Sequence, residues 1–372
     1  MYNVGFGDCF VVTFITRERP YTMLIDCGRH QAGASERGPD FWSVVESMIA
    51  DLPIVDGTRR IDVLAITNPH TDHVYGFSRQ ELWTDISVGE VWMSWTRDPN
   101  APGIGPLPTT NARAFATLAE LGKDRLRYLP RPDRYPDTLD GASLPVLPTD
   151  VTVHVLGPSR DLAVIRALSA PAGAAFGGGN AAPTSSATAT ANVGDDASDE
   201  SDEVDQSDEI GSEFDQSARE STVQSTSKSA DLSKVVNGTS LVLLIEVAGQ
   251  KLLFASDAMW GTWQMMLGDP TANALLRGID FYKVGHHGSH NGTPREFVEG
   301  GYLRDAIAMV PVSPVNVWKD IPKSTLLAAL EAGGTRVIRS DKPVSTRDRG
   351  AIRSPGDTYT EVTFETNSVM LA

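Results

Sequence analysis

Cysteine is almost missing: Cys9 and Cys27 are the only two in 372 residues, each inside an apolar strand pattern. A disulfide scaffold is excluded, and a reducing compartment is the expected setting. No apolar run approaches the roughly 20 residues that a bilayer span needs. No charged-then-apolar leader stands before the first strand-like segment. The expectation is a soluble, cytoplasmic protein with no membrane partner. Positive charge is also short, with 32 Lys/Arg against 48 Asp/Glu and a net of −16. At face value that balance disfavours a polyanionic partner. Apolar residues are not lacking: at 41% they suffice for one large core or two ordinary ones, which excludes a wholly disordered chain.

The negative charge is concentrated. Between Ala172 and Val236 the chain is rich in Ala, Gly, Ser and Thr, then strongly acidic, with 13 Asp/Glu and 3 Lys/Arg. Ten of the sixteen net charges fall there, and the other 307 residues carry only about −6. Such a composition buries too little surface to offset the entropy of ordering, so residues 172–236 are read as a disordered insertion in a surface loop. An acidic tract of this kind could also dock a protein partner. Outside it, the global charge does not exclude a nucleic-acid substrate.

On either side the chain is well patterned. Phe10–Ile15 and Tyr21–Ile25 flank a turn and predict a hairpin; Ser240–Val247 and Lys251–Ala255 predict a second. Ile61–Ile66, Val88–Met93, Phe281–Val284, Ala306–Val312 and Arg336–Arg339 read as strands. Helical spacing marks Phe41–Leu52, Ala112–Leu121, Trp260–Leu267 and Lys323–Ala332. Strand pairs followed by strand–helix alternation occur twice, which predicts one α/β domain built from two similar halves, 1–171 and 237–372.

Histidines and aspartates cluster where strands end. His70, Asp72 and His73 follow Ile61–Ile66, Asp257 follows Lys251–Ala255, and His286, His287 and His290 follow Phe281–Val284. Imidazole and carboxylate together are what Zn²⁺ takes in a catalytic site, where an open position holds water whose pKa falls toward about 7. Loops after strands are where a rigid sheet holds catalytic groups.

Asn68-Pro69-His70-Thr71-Asp72-His73 resembles the metallo-β-lactamase superfamily signature His-x-His-x-Asp-His. The remaining motifs are most similar to the branch found as the C-terminal domain of the competence DNA-uptake channel ComEC. Val4-Gly5-Phe6-Gly7-Asp8 resembles its opening Val-Gly-Gln-Gly-Asp, with Phe6 in place of glutamine. Leu24-Ile25-Asp26-Cys27-Gly28 resembles its Ile-Asp-x-Gly turn, and Asn237 to Leu243 its Asn-x-x-Ser-Leu-Val-Leu strand. Lys283-Val284-Gly285-His286-His287-Gly288-Ser289 is similar to Lys-Val-x-His-His-Gly-Ser almost letter for letter. Ser313–Pro322, which contains Asn316, and Val337–Asp341 resemble the closing segments.

The resemblance implies an α/β fold, an αββα sandwich with metal at one sheet edge, and a metal-dependent hydrolase acting on the phosphodiester of a nucleic acid or nucleotide. By the same resemblance His70, Asp72, His73, Asp257 and His286 would be metal ligands, for one or two Zn²⁺ or for Mn²⁺. Asp72, Asp257 and His287 would serve catalysis, with His287 orienting substrate or packing. Ser289, Asn291, Asn316 and Lys283 would contact substrate, although the Lys283 stem could instead pack along the sheet. Asp8 and Asp26 read as turn and loop anchors, and Asp26 could alternatively support a ligand histidine. Trp260 and Trp263, three positions apart, read as core packing or as a base-stacking surface. Two features depart from the family pattern. Asn68 stands where the signature's first histidine belongs, and His154, on an alternating segment, is the only histidine between His73 and His286. These departures keep open a non-catalytic binding protein of the same fold, and the motifs alone leave lactone, thioester and β-lactam substrates open.

Overall fold

The computed structural model describes residues 1–15, 19–30, 40–101, 111–176, 235–315, 318–344, 351–353 and 357–364. Residues 177–234 of the acidic stretch, and Asn316, lie outside the described residues. The edges of that stretch are packed: Phe176, Val235 and Val236 are buried, and the Arg295 guanidinium lies 4.6 Å over the Phe176 ring.

Six strands form the first sheet: β1 (Cys9–Ile15), β2 (Pro20–Cys27), β3 (Ile54–Val55), β4 (Thr58–Ile66), β5 (Ile86–Ser94) and β6 (Leu126–Leu129). The order is β1-β2-β4-β5-β6, with β3 paired on β4. The β1–β2 hairpin is antiparallel, and β2, β4, β5 and β6 run parallel. The second sheet has seven strands: β7 (Asp137–Asp140), β8 (Val151–Gly157), β9 (Val242–Val247), β10 (Gln250–Phe254), β11 (Phe281–Lys283), β12 (Ile307–Val310) and β13 (Arg336–Arg339). They run in simple sequence order across the sheet, antiparallel from β7 to β10 and parallel from β10 to β13. A short antiparallel pair, β14 (Ala351–Arg353) and β15 (Thr360–Val362), stands apart.

Alternation along the strands makes two faces on each sheet. Met23, Ile25, Val63 and Ala65 of the first sheet meet Leu243, Ile245, Leu252, Phe254, Phe281 and Met309 of the second, forming the central core. The intervening residues face outward to helices. Leu24, Leu64 and Ile66 pack with α1 (Phe41–Asp51) and, beyond the single-turn α2 (Thr71–Val74), with α3 (Ala112–Gly122). Phe41, Val44, Val45 and Met48 recur at helical spacing to form the buried face of α1, and Asp40 caps it by accepting from Ser43 N.

Leu244, Leu253, Tyr282 and Val310 lie under the helices of the other side. Past α4 (Leu162–Arg166) these are α5 (Trp260–Gly268), α6 (Pro270–Leu275), α7 (Arg295–Glu299) and α8 (Ser324–Ala332). Helix, sheet, sheet, helix: this is the αββα sandwich. No helix among the described residues is long and apolar enough to cross a membrane. The two hairpins and the longer helices form where hydrophobic period predicts them. The second sheet, however, begins before the acidic stretch, because β8 pairs with β9 and β7 pairs with β8.

Candidate metal centre

Parallel strands bring their carboxyl ends to one edge, which is where ligands bind in α/β sheets. His70, Asp72 and His73 follow β4, Asp257 follows β10, and His286 and His287 follow β11. Asp26 ends β2, and Asp8 precedes β1, whose antiparallel pairing of Cys9 with Cys27 returns it to the same edge. The two sheet ends are tied together by a 2.7 Å hydrogen bond between the hydroxyls of Thr67 and Ser256 and by Leu241 N donating to Thr67 O.

Asp72, His73, Asp257 and His287 converge so that one ligand atom from each lies within 4.8 Å of the others, all four side chains buried. The orientation of both imidazoles follows from their partners. His73 Nδ1 lies 2.8 Å from Asp26 Oδ2, and a carboxylate oxygen only accepts, so Nδ1–H donates. His287 Nδ1 lies 2.8 Å from the carbonyl of Pro311, and again Nδ1–H must donate. Each ring is left with Nε2 facing a carboxylate: His73 Nε2 is 3.1 Å from Asp257 Oδ2, and His287 Nε2 is 3.1 Å from Asp72 Oδ2. Two lone-pair donors opposite two acceptors repel unless a cation sits between them. Either extra protons or a metal ion supplies it.

Protonation shows the same demand. Burial disfavours the His73 cation, yet Asp257, Asp72 and Asp26 outweigh it and hold His73 well above its ordinary value. His287 is raised against burial by Asp72, Asp8 and Asp257. Burial pushes Asp72 and Asp257 up, but the charge of His73 and the other cations around them hold both below the usual carboxylate range. Asp26 is raised by burial despite His73. The Oδ1 atom of Asp8 is buried with no hydrogen-bond partner. Mixed imidazole and carboxylate donors, excess buried negative charge and an orphaned carboxylate oxygen fit a divalent cation.

Local backbone geometry sets these directions. Asp26, Ser256, His286 and His287 all adopt positive φ, at 56°, 51°, 45° and 52°, conformations costing of order 1–3 kcal/mol each outside glycine. Asp26 thereby reaches Thr67 N at 2.7 Å and the Thr67 hydroxyl as well as His73. Gly28 is required because a Cβ there would lie 2.3 Å from His73 N. The two left-handed residues after β11 send adjacent imidazoles apart. His287, rather than the His286 that the family resemblance implies, joins the cluster. His286 instead places Nδ1 2.8 Å from Ser289 Oγ, with Nε2 3.5 Å from the Asn237 amide, and burial depresses its pKa to about 4.

The other expected residues fall as follows. His70 stands next to the cluster in sequence, but its side chain is outside the converging group. Ser289 and Asn291 are buried in the loop after β11. Lys283 is buried beneath the cluster, 1% exposed, rather than facing solvent. Trp263 is core: it donates to Gly292 O at 2.9 Å and packs on Phe297. His154 lies on a strand face between Thr138 and Glu246. The Phe6 ring packs at a tilt against His287, with centroids 4.4 Å apart, and against Trp318 at 4.7 Å, a wall that its hydrophobic pattern alone does not reveal. Asp8 carries no sequence signal for its role, since its partner Lys283 is 275 positions away.

Asn68 is fully committed elsewhere. Its Oδ1 accepts from His70 N at 2.9 Å, and its amide donates to Asn237 Oδ1 at 2.8 Å and Ser240 Oγ at 3.0 Å. An imidazole cannot reproduce two donors and one acceptor at those positions. Asn68→His is therefore expected to lower stability by about 1–3 kcal/mol without adding a bound ion. Thermal unfolding and metal counting by mass spectrometry check this; a second ion with unchanged stability would contradict it.

No protein-family model matches the chain, and no curated protein matches it. Among solved structures it is similar to Zn²⁺-bound PqqB from Methylobacterium extorquens, with TM-score 0.39 and 13% identity over 88% of this chain and 84% of that one.

Proposed function

We propose that the chain is a metal-dependent hydrolase of the metallo-β-lactamase kind, acting on a phosphodiester of a nucleic acid or nucleotide. The observation that carries the metal reading is the pair of Nε2–carboxylate facings at 3.1 Å inside a buried cluster. Asp72, His73, Asp257 and His287 would hold the ion. When bound, a divalent cation there supplies Lewis acidity, activating water near neutral pH and drawing charge from the reacting oxygens. Asp26 and the Pro311 carbonyl fix the two rings so that Nε2 points inward.

Asp72 is the more exposed of the two carboxylates in the cluster, with its side chain 11% exposed against 1% for Asp257. Its depressed pKa makes it a weak base, so it orients water by accepting a hydrogen bond rather than by taking the proton. His286, uncharged at neutral pH, and Ser289 offer neutral hydrogen-bonding groups beside the cluster. The phosphodiester substrate rests on the ComEC-like motifs, and Zn²⁺ or Mn²⁺ is the expected ion. The small net charge outside residues 172–236 is compatible with an anionic substrate.

A second reading, a non-catalytic binding protein, is favoured by the commitment of Asn68 to structural hydrogen bonds. Turnover separates the two. Metal-loaded protein should cleave bis(p-nitrophenyl) phosphate and single-stranded DNA, and chelation should abolish the activity. Bound metal with no turnover on these, nor on a lactone or β-lactam, would select the binding protein.

A further inference from the structure

Lys283 ends β11 with its ammonium inside the protein. Its Nζ lies 2.7 Å from Asp8 Oδ2 and 3.5 Å from Asp257 Oδ1, and donates to Ser256 O at 3.1 Å. Burying an ammonium costs several kcal/mol unless opposite charge and hydrogen bonds answer it. Here two carboxylates and a carbonyl do so, which makes the lysine part of the charge balance of the site rather than a packed stem.

Its position divides the oxygens of Asp257. Oδ2 faces His73 Nε2 within the cluster, whereas Oδ1 faces the ammonium. Asp8 is divided in the same way: Oδ2 is held by Lys283, and Oδ1, buried without a hydrogen-bond partner, lies 3.7 Å from His287 Nδ1. Were Asp257 to join two divalent ions through both of its oxygens, Oδ1 would have to be free for metal. One oxygen of Asp257 is already held by a fixed positive charge, and a second divalent ion against that oxygen would meet the ammonium at close range. The Asn68 amide is held in its own hydrogen bonds to Asn237, Ser240 and the His70 backbone.

We propose that Lys283 is a built-in cation standing where a second divalent ion would otherwise be held, so that the centre takes one ion on Asp72, His73, Asp257 and His287 while the ammonium neutralises Asp8 and the outer oxygen of Asp257. The proposal rests on the metal-centre reading above. It also gives Asp8 a purpose: it anchors the ammonium and links the opening loop to β11.

The test counts ions. Wild type, Lys283→Met and Lys283→Gln are dialysed against Zn²⁺ or Mn²⁺ and measured by native and elemental mass spectrometry. One ion per chain is expected in the wild type and two in either variant, because loss of the ammonium frees Asp8 and Asp257 for metal. Two ions in the wild type, or one in a folded variant, would overturn the proposal while leaving the metal centre intact; no ion in the wild type would remove the metal reading itself. A measurement on the wild type alone covers variants that do not fold. In metal-loaded protein the Lys283 side-chain nitrogen should give an ammonium signal by ¹⁵N NMR, protected from solvent exchange. A neutral amine or a freely exchanging ammonium would overturn the proposal.

Discussion

Asp257→Asn is expected to cut divalent-metal affinity by 100-fold or more and to leave the purified chain essentially metal-free. Even partners that only support a ligand are worth about 10–100-fold in affinity, and Asp257 faces the lone pair of His73 directly. Asparagine keeps the size but removes the charge that balances His73 and Lys283. The loss also reaches the metal-free protein, since removing one partner of a buried ion pair costs about 3–5 kcal/mol. Elemental analysis and thermal unfolding in chelator measure the two effects separately. Metal content equal to wild type would show that the cluster is not the site. An unchanged melting temperature in chelator would show that Asp257 does not anchor Lys283 and His73.

The second large effect is in pH dependence, and its sign differs with and without metal. In metal-free protein His73 and His287 are raised above the ordinary histidine value of 6.5. Their contribution to stability is complete below that value and is lost as pH rises through their raised values. Asp72 and Asp257 are depressed below the ordinary 3.8. Theirs is complete above 3.8 and is lost as pH falls through the depressed values. These four groups together favour the range between about pH 4 and 6.5, within which the depressed His286 and the raised Asp26 act with opposite signs, and the metal-free protein is expected to weaken toward alkaline pH.

Metal replaces the protons that bridge each Nε2 to its carboxylate. Binding releases protons, and apparent affinity rises about tenfold per pH unit for each imidazolium displaced, hence up to about a hundredfold per unit over pH 4–6. The alkaline weakening should vanish in saturating metal. Melting curves with chelator and with Zn²⁺, together with proton release measured by calorimetry in buffers of different ionisation enthalpy, follow both signatures. A metal-free protein that grows more stable above pH 7 would contradict the assignment.

Hydrophobic period made most of the sandwich readable. The β1–β2 and β9–β10 hairpins and helices α1, α3, α5 and α8 each carry a buried face long enough to register. β7 and β8 are harder to place, because they join the second sheet through the pairing of β8 with β9, more than 80 residues further on. At the site, the His70–His73 segment, Asp257 and the His286-His287 pair announced themselves as chemistry at strand ends. The choice between the two adjacent histidines depends on left-handed backbone angles at both residues, which residue types do not encode outside glycine. The lysine's burial was likewise hidden. A strand-end lysine ordinarily reaches solvent, and here Asp8 and Asp257, both distant in sequence, with the Ser256 carbonyl make its buried position tolerable.

The most direct measurement is an anomalous diffraction map of crystals grown with Zn²⁺ or Mn²⁺ and recorded above the metal's absorption edge. A single peak per chain, bounded by Nε2 of His73, Nε2 of His287 and the carboxylates of Asp72 and Asp257, is the predicted result. No peak in that cluster, or a peak centred instead on His70 and His286, would contradict it.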